Sequence, residues 1–302
     1  MPVPAIPALA APSVALLLAL ALTAGRGAAQ EQSPAPPQPP EAAAPGEAAE
    51  DAGPGDPDPF EIVLASAGFL ADLPAFGFDW FVSYDIVDEE REKLTFTRSG
   101  SNLIARDVGF FATAEEGFRL RDYYYDGATF TIAAPQENFY SNAPFDGGFE
   151  ALVTAVRVRT GTVLPLWSVM SRDLPARLTE GAEAAAYIGL TRIAGQTAHH
   201  IAFAGETEDW QIWIAEDAGR PVPLLIVGTE TDEQGWPQFR AWLSNWDLAP
   251  EIAPERFVFE PDEDDLPASM PDLEVGRPGT AAPSPARRPA PADGQAAEEA
   301  QR

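Results

Sequence analysis

The chain of 302 residues contains no cysteine and only two histidines. The absence of cysteine excludes disulfide bonds, thiolate nucleophiles, CxxC redox motifs and zinc ribbons, and it excludes the lipidated cysteine of bacterial lipoproteins. Two histidines leave little for a histidine-based metal site. We therefore expect neither a metal ion nor a cofactor.

Basic residues are scarce, because 19 Lys and Arg stand against 47 Asp and Glu and give a formal net charge of -28. Such a charge repels phosphate backbones and anionic lipid head groups wherever salt leaves it unscreened. Nucleic acid is therefore not an expected partner.

Recognisable catalytic motifs are missing as well. The sequence contains no GxSxG, SxxK or HExxH arrangement, and these are the common signatures of serine and zinc hydrolases. Acidic pairs such as Glu89-Glu90 and Asp232-Glu233 lie beside turn signals, where solvated loop charge is a simpler interpretation than a glycosidase pair. We expect a protein that is not an enzyme.

The N-terminus has the features of an export signal. Residues 1–25 carry no ionisable side chain, residues 14–24 form a short apolar run, and the small residues Gly27, Ala28 and Ala29 follow it. This pattern predicts a signal peptide over residues 1–29, with cleavage before Gln30 or, alternatively, after Gly25. The mature protein would then be periplasmic without a stable transmembrane segment; an uncleaved anchor is the alternative.

Two segments flank the central part of the chain with a different composition. Residues 30–57 are mostly Ala, Pro, Glu, Gly and Asp, and residues 263–302 have a similar composition with the adjacent arginines Arg287 and Arg288. Such segments bury too little apolar surface to offset the entropy of ordering. We expect a disordered linker and a disordered acidic tail, either of which could reach envelope proteins.

Residues 58–262 differ from both ends because short runs rich in aromatic and β-branched residues alternate with turn signals. This pattern predicts a mainly β domain with a few helices. Helices are expected from Phe60 to Pro74 and over 149–159 and 164–170. Strands are expected over 77–87, 93–97, 102–108, 117–125, 128–133, 138–141, 186–193, 197–204, 209–215, 223–229, 238–246 and 257–260.

A sheet of roughly eleven antiparallel strands must curl, and the apolar helices must cover its concave face. We therefore expect an unclosed half-barrel with a helical covering. The Asp126-Gly127 pair between two of these strands predicts a tight hairpin, because this dipeptide tolerates the positive φ angles of a primed turn.

Several motifs resemble one family. They are Tyr125-Asp126-Gly127-Ala128-Thr129-Phe130, Tyr187-Ile188-Gly189, His199-His200-Ile201-Ala202-Phe203, Asp209-Trp210-Gln211-Ile212-Trp213-Ile214 and Trp246-Asp247-Leu248-Ala249-Pro250. Together they resemble a family of predicted periplasmic proteins, a domain of unknown function assigned the fold of the lipoprotein carriers LolA and LolB. The resemblance implies an unclosed antiparallel barrel with helices over an apolar cavity, and no reaction. Members usually carry an Arg-Pro pair where this chain has Ser99-Gly100.

Candidate site residues follow from this expectation. The predicted cavity lining and its polar neighbours are Phe78, Trp80, Tyr124, Phe130, Trp167, His199, His200, Trp210 and Trp213. Adjacent residues on a strand point to opposite faces, so the two histidines cannot share one metal ion. Arg98 and Arg106 are candidates for a contact with a polar head group.

The leading hypothesis is a periplasmic protein that binds a lipid or an acylated peptide in a half-barrel cavity. Each methylene moved out of water contributes about 0.8 kcal/mol, so one acyl chain could provide the affinity. The alternative is an interaction module of the envelope, in which the barrel is filled and the tails or strand edges engage partners. An enzyme with an unrecognised site is a third hypothesis.

Overall fold

A computed structural model of the chain describes residue 55 and residues 57–88, 90–179 and 182–273. The predicted signal peptide, nearly all of the predicted linker and residues 274–302 of the predicted tail lie outside these ranges. Among the residues that the structure describes, no helix is both long and apolar enough to cross a membrane.

The described chain begins with helix α1, Pro59–Asp72. Asp58 caps its N-terminus, because the Asp58 carboxylate accepts a 2.8 Å hydrogen bond from the backbone N–H of Phe60 and Pro59 occupies the first helical turn, where a missing N–H costs nothing. The helix buries Val63, Ser66, Ala67 and Leu70. It ends before Leu73, as predicted from Pro74.

Six strands follow in a meander. They are β1 (Ala75–Val87), β2 (Lys93–Ala105), β3 (Gly109–Glu116), β4 (Arg119–Tyr125), β5 (Thr129–Ala134) and β6 (Phe139–Pro144). Three helices interrupt the sheet, namely α2 (Phe149–Thr160), α3 (Trp167–Met170) and α4 (Leu174–Thr179). The remaining strands are β7 (Ala182–Ile193), β8 (Gln196–Gly205), β9 (Glu208–Ala215), β10 (Pro223–Glu230), β11 (Gln238–Asp247) and β12 (Leu266–Pro267).

All twelve strands form one unclosed sheet in the order β12-β6-β5-β4-β3-β2-β1-β11-β10-β9-β8-β7. The β1 strand joins the two meanders, because it pairs antiparallel with both β2 and β11. The pairing of β12 with β6 is parallel. The predicted fold class, an unclosed antiparallel sheet with a few helices, is confirmed.

Individual elements differ from the prediction. The β2 strand is continuous where two strands were expected, because Arg98 pairs with β1, and Ser99, Gly100 and Ser101 pair with both β1 and β3 instead of forming a turn. The β3 strand was missed, since Gly109 and the small residues after Phe111 hide its alternation. A 3₁₀ helix, Pro254–Phe257, replaces the strand expected over 257–260, and α4 was not expected.

The packed chain continues past the expected domain end at Asp262. The β12 strand adds to the edge of β6, and Leu273 is fully buried in the main core. The apolar residues Leu266, Met270 and Leu273 are isolated among Asp and Pro, so composition alone groups them with the tail.

The predicted hairpin at Asp126-Gly127 joins β4 to β5, with Tyr125 paired opposite Phe130. Gly127 has a positive φ of 89°, whereas the φ of Asp126 is not positive. The Asp126 carboxylate instead accepts hydrogen bonds from the backbone N–H groups of Ala128 at 2.9 Å and Thr129 at 2.7 Å. The turn is therefore held by the Asp126 side chain, rather than by two positive φ angles.

The sheet has an inner face, which the four helices cover, and an outer face. Strand alternation places large apolar side chains on the inner face. One inner row runs across five neighbouring strands and contains Phe76, Ile104, Phe110, Tyr125 and Phe130. All five side chains are buried, and they belong to the same core as the apolar faces of α1 and α2.

Gly100 is a second inner position, and its lack of a side chain has a structural reason. Trp80 is its partner in the register of β1 and β2. A Cβ atom at Gly100 would lie 2.0 Å from the carbonyl oxygen of Thr113 and 2.7 Å from the Trp80 ring. The Ser99-Gly100 pair thus permits the Trp80 indole to lie over β2.

We expect the Gly100→Ala variant to lower the free energy of unfolding by about 1–3 kcal/mol, the usual cost of overpacking, because the neighbouring backbone cannot give way cheaply. Chemical denaturation measures this loss. The matched control is Gly68→Ala in α1, where an added Cβ meets nothing within 4 Å; removing a helical glycine should stabilise the chain by up to about 1 kcal/mol. Equal stability of both variants would contradict the packing described for Trp80.

Candidate ligand-binding site

The candidate site is the inner face of the sheet together with the four helices above it, which we call the lid helices. The α1 helix contacts α3, α4, β7 and β9. The α2 helix packs through Phe149, whose ring centroid lies 5.4 Å from that of Phe110. The lid helices thus lie on both halves of the sheet.

Arg106 ties the lid helices to the turn between β2 and β3. Its guanidinium donates three hydrogen bonds to backbone carbonyls, from Nε to Leu73 at 2.9 Å, from Nη1 to Met170 at 2.9 Å and from Nη2 to Leu70 at 3.0 Å. These carbonyls lie at the C-terminal ends of α1 and α3, where acceptors lack a partner within the helix. Burial, followed by the charge of Arg172, lowers the pKa of Arg106.

A second polar tie passes through Asn102, which is 3% exposed. The Trp80 indole N–H donates to Asn102 Oδ1 at 3.1 Å, and Asn102 Nδ2 donates to the carbonyl of Pro165 at 2.8 Å. Pro165 precedes α3. The base of the site is therefore joined to the lid through both polar atoms of the Asn102 amide. The sequence analysis did not identify this residue.

One end of the inner face is less well covered. We call it the open end; it carries the turns that follow β1, β3 and β10. Leu94 and Phe96 lie on the inner face there, opposite Ile86 and Tyr84, yet they are 47% and 40% exposed. The Tyr84 and Phe96 rings stack at a centroid distance of 5.8 Å. An apolar surface thus runs from the buried core to solvent.

Arg98 belongs to a polar cluster at the open end. Its Nη2 donates to Glu116 Oε1 at 3.1 Å, and the Tyr84 hydroxyl donates to the same oxygen at 2.6 Å. Burial raises the pKa of Glu116, but the bond from Tyr84 and the charge of Arg98 outweigh it and lower that pKa. The Arg98 side chain is 42% exposed, and its buried Nε has no hydrogen-bond partner.

Two carboxylates face each other across β9 and β10 at the same end. Glu208 pairs with Glu230 in the register, and both are at inner-face positions. Burial, together with the charges of Glu230 and Asp209, raises the pKa of Glu208 to about 7. Burial and the charges of Glu233 and Asp232 raise the pKa of Glu230.

A small cavity lies beside this pair and is lined by Tyr84, Asp85, Gly228, Glu230, Pro237, Gln238 and Phe239. Its volume of about 10 Å³ is close to the minimum that one water molecule needs. Deeper in the structure, Phe76, Phe110, Phe130 and Met170 are fully buried. These four side chains are therefore removed from solvent beneath the lid helices.

The chain matches the profile of one protein family over residues 60–269, and that family is described as predicted periplasmic protein, DUF2092. The chain belongs to this family. The match covers nearly the whole packed unit and agrees with the periplasmic location that the leader sequence predicts. No curated protein has significant similarity to the chain.

Three solved structures are among those similar to this chain. LprF from Mycobacterium bovis is 13% identical, with a TM-score of 0.42 and coverage of 66% of this chain and 97% of LprF. Lipoprotein LppX from Mycobacterium tuberculosis is 14% identical, with a TM-score of 0.38 and coverage of 66% and 100%. A LolA superfamily protein from Nitrosomonas europaea is 9% identical, with a TM-score of 0.32 and coverage of 66% and 96%. Similarities of this size carry no information on a ligand.

The structure brings some of the predicted site residues together on the inner face. Phe78, Trp80, Phe130 and Trp210 are all buried there, and Trp210 stacks on Phe203 at 3.9 Å. His199 is also on the inner face, with its Nδ1 3.0 Å from the Tyr187 hydroxyl. Trp167 belongs to α3, and the Arg177 guanidinium lies 4.5 Å from its ring centre.

Other predicted residues lie on the outer face. The Tyr124 ring packs at 4.9 Å from Phe111, in a separate small cluster around Phe257. His200 stacks on Trp213 at 4.1 Å. The structure therefore separates Tyr124, His200 and Trp213 from the inner site, because a strand shows alternate residues to opposite faces and alternation alone does not identify the inner one.

Metal binding is not suggested by the arrangement of charged groups. Within residues 57–88, 90–179 and 182–273, no three His, Asp or Glu side chains are placed to hold one ion.

We expect the Arg106→Met variant to lose about 3–5 kcal/mol of stability, typical of a broken buried charged network, because three carbonyls lose their donor. Hydrogen exchange should accelerate at the C-terminal ends of α1 and α3 more than in β8. The control is Arg98→Met, which removes a half-exposed pair worth less than about 1 kcal/mol. Unchanged exchange in α1 would contradict the role of Arg106 as a tie.

Glu208 should make stability depend on pH. Because its folded pKa of about 7 exceeds the ordinary value of 4.5, the folded state binds more protons between these values, and stability falls as pH rises through this window. We expect Glu208→Gln to raise the melting temperature more at about pH 8 than at about pH 5. Exposed Glu183, changed to Gln, is the control. An equal gain at both pH values would contradict the burial of this carboxyl group.

Proposed function

We propose that the protein is a periplasmic, non-enzymatic binder of an apolar ligand, such as the acyl part of a lipid or of an acylated peptide. One observation carries the proposal: along β1, through Trp80, Val82 and Tyr84, the apolar inner face continues from the core under the lid helices to the half-exposed Leu94 and Phe96 at the open end. An acyl chain bound along this surface would leave its polar end near Arg98 and Glu116.

Binding beneath the lid helices would require them to move, because α1 and the segment around α3 are tied to the sheet by hydrogen bonds. The ties through Arg106 and Asn102 hold the packed arrangement. A ligand that inserts beneath the lid must compensate for their loss, and each buried methylene contributes about 0.8 kcal/mol toward this. A long acyl chain therefore suits the site better than a small polar molecule.

The same site gives little support to a reaction. Glu208 has a pKa near neutrality, which is a property of many catalytic acids and bases. Its cross-strand neighbour, however, is a second carboxylate rather than a nucleophile or a substrate-polarising cation. We therefore propose binding without chemistry.

A second candidate function is an interaction module with a permanently filled barrel. The observation that favours it is the complete burial of Phe76, Phe110, Phe130 and Met170 beneath the lid helices. In that case the lid helices would never open, and partners would bind at the surface or at the terminal segments.

Native mass spectrometry of the mature protein from its own envelope fraction distinguishes the two functions. We expect an added mass that organic extraction releases as a lipid. The variant Phe96→Ser tests the inner face. It should weaken binding of a fluorescent fatty-acid probe, because it replaces an aromatic ring at the open end by a hydroxyl group. Val158→Ser on α2, a change at a side chain that is 70% exposed, is the matched control and should bind normally.

A clean unliganded mass, combined with no uptake of the probe by the wild-type protein, would falsify the binding proposal and favour the filled module. Equal probe binding by Phe96→Ser and the wild type would show that the open end is not the route of entry.

A further inference from the structure

The outer face carries an apolar row that the proposed ligand site does not use. The register aligns one residue from each of five neighbouring strands, β8, β9, β10, β11 and β1. These residues are His200, Trp213, Leu225, Trp242 and Phe81, and we call them the outer row.

The outer row is ordered by its own contacts, and its members on β1 and β11 are open to solvent. His200 stacks on Trp213 with ring planes 12° apart, and Phe81 lies 5.7 Å from Trp242. Phe81 is 45% exposed and Trp242 is 36% exposed. The solvated face of an antiparallel sheet is usually polar, so a row of this kind indicates a binding surface.

Acidic side chains border one end of the row. Asp79 lies two residues before Phe81 on the same face of β1. Phe81 pairs with Ser99 of β2, and Ser99 in turn pairs with Glu115 of β3, so Glu115 continues the line of the row. Both carboxylates are exposed. A peptide that lies along this row, across the strands, would contact aromatic rings first and carboxylates at the end. Its sequence should therefore combine apolar residues with a basic residue.

A segment of the same chain has this composition. Residues 281–292 read Ala-Ala-Pro-Ser-Pro-Ala-Arg-Arg-Pro-Ala-Pro-Ala, and residues 275–292 contain no acidic residue. In the polyproline II conformation, every third residue shares an edge. One such edge would be wholly apolar and would contain Pro283, Ala286, Pro289 and Ala292, while Arg287 and Arg288 would lie on the other two edges.

The spacings of the segment and the row agree. Three residues of polyproline II advance about 9.3 Å. Trp213 and Trp242 are two strands apart, which corresponds to about 9.6 Å. Successive apolar residues of the segment would therefore meet successive indole rings, in the manner of proline-rich ligands on aromatic grooves.

We propose that residues 281–292 of this chain dock on the outer row, with Arg287 and Arg288 near Asp79 and Glu115. The described chain ends at Leu273, and the ten residues from there to Pro283 reach up to about 35 Å. That length is about the diameter of a small domain, and it is the largest span that the docked arrangement allows between Leu273 and Pro283. The proposal is independent of whether a ligand binds the inner face.

The N-terminal segment is the rival occupant, because Pro34, Pro37 and Pro40 are also three residues apart. Its flanking charges are Glu31 and Glu41, and residues 30–57 contain no basic residue. Glu31 and Glu41 would be repelled by Asp79 and Glu115, whereas Arg287 and Arg288 would be attracted. Charge complementarity therefore favours the C-terminal segment.

The absence of cysteine makes a spin-label test straightforward. Two nitroxide labels on the mature full chain, at Ser244→Cys beside Trp242 and at Ala286→Cys in the segment, should give one short and narrow distance distribution by pulsed electron paramagnetic resonance. This narrow population should be lost when Phe81→Ser and Trp242→Ser are combined. It should persist with Val158→Ser on α2, the control for a lost exposed apolar side chain.

A second pair of variants keeps the test decisive if the outer-row changes disturb folding. Arg287→Glu with Arg288→Glu leaves the sheet untouched and should also abolish the narrow population. A broad distribution in the unmodified labelled chain would overturn the proposal. So would a narrow distribution from a label at Ser33→Cys instead of Ala286→Cys, or a signal that disappears on dilution with unlabelled chain, which would assign the contact to a second copy.

Discussion

The structure depends on one constraint, the need to cover the inner face of a twelve-strand sheet that does not close. A closed barrel would satisfy its own interior, whereas an open one leaves large apolar side chains that only other elements can bury. The helices α1 to α4 meet this need over most of the face and leave Leu94 and Phe96 partly exposed. The fold and the candidate site are therefore consequences of the same incomplete coverage.

Arg106 shows how the covering is fixed in place. Burying a guanidinium is costly unless every donor finds an acceptor, and here the acceptors are carbonyls at the ends of α1 and α3. The interaction joins the C-terminal ends of α1 and α3 to the turn between β2 and β3. Because it is polar and confined to helix ends, it can break without exposing the whole core, which is the property that an opening lid requires.

Sequence patterns predicted the fold class because alternation, turn residues and apolar helices repeat over many elements. They failed at β3, where Gly109 obscured the alternation. They also failed where the deciding contact is distant in sequence, because nothing near Asn102 indicates its hydrogen bond to Pro165. Sequence patterns also left open which face each candidate site residue would occupy. Trp80 and Trp210 are on the inner face, but Tyr124 and Trp213 are not, since period-two alternation fixes which residues share a face and not which face is covered.

The β10 strand connects the two surfaces of the molecule. Six consecutive residues from Pro223 to Gly228 are buried, although helices cover the sheet on one side only. On the inner side Ile226 packs into the main core; on the outer side Leu225 lies between Trp213 and Trp242 in the register. A strand buried on both faces is typical of a sheet covered on both faces, but on the outer face the 3₁₀ helix Pro254–Phe257 packs on β3 and not on β10. The aromatic side chains of the outer row supply part of that second cover themselves, and a bound proline-rich segment would complete it without disturbing the inner site.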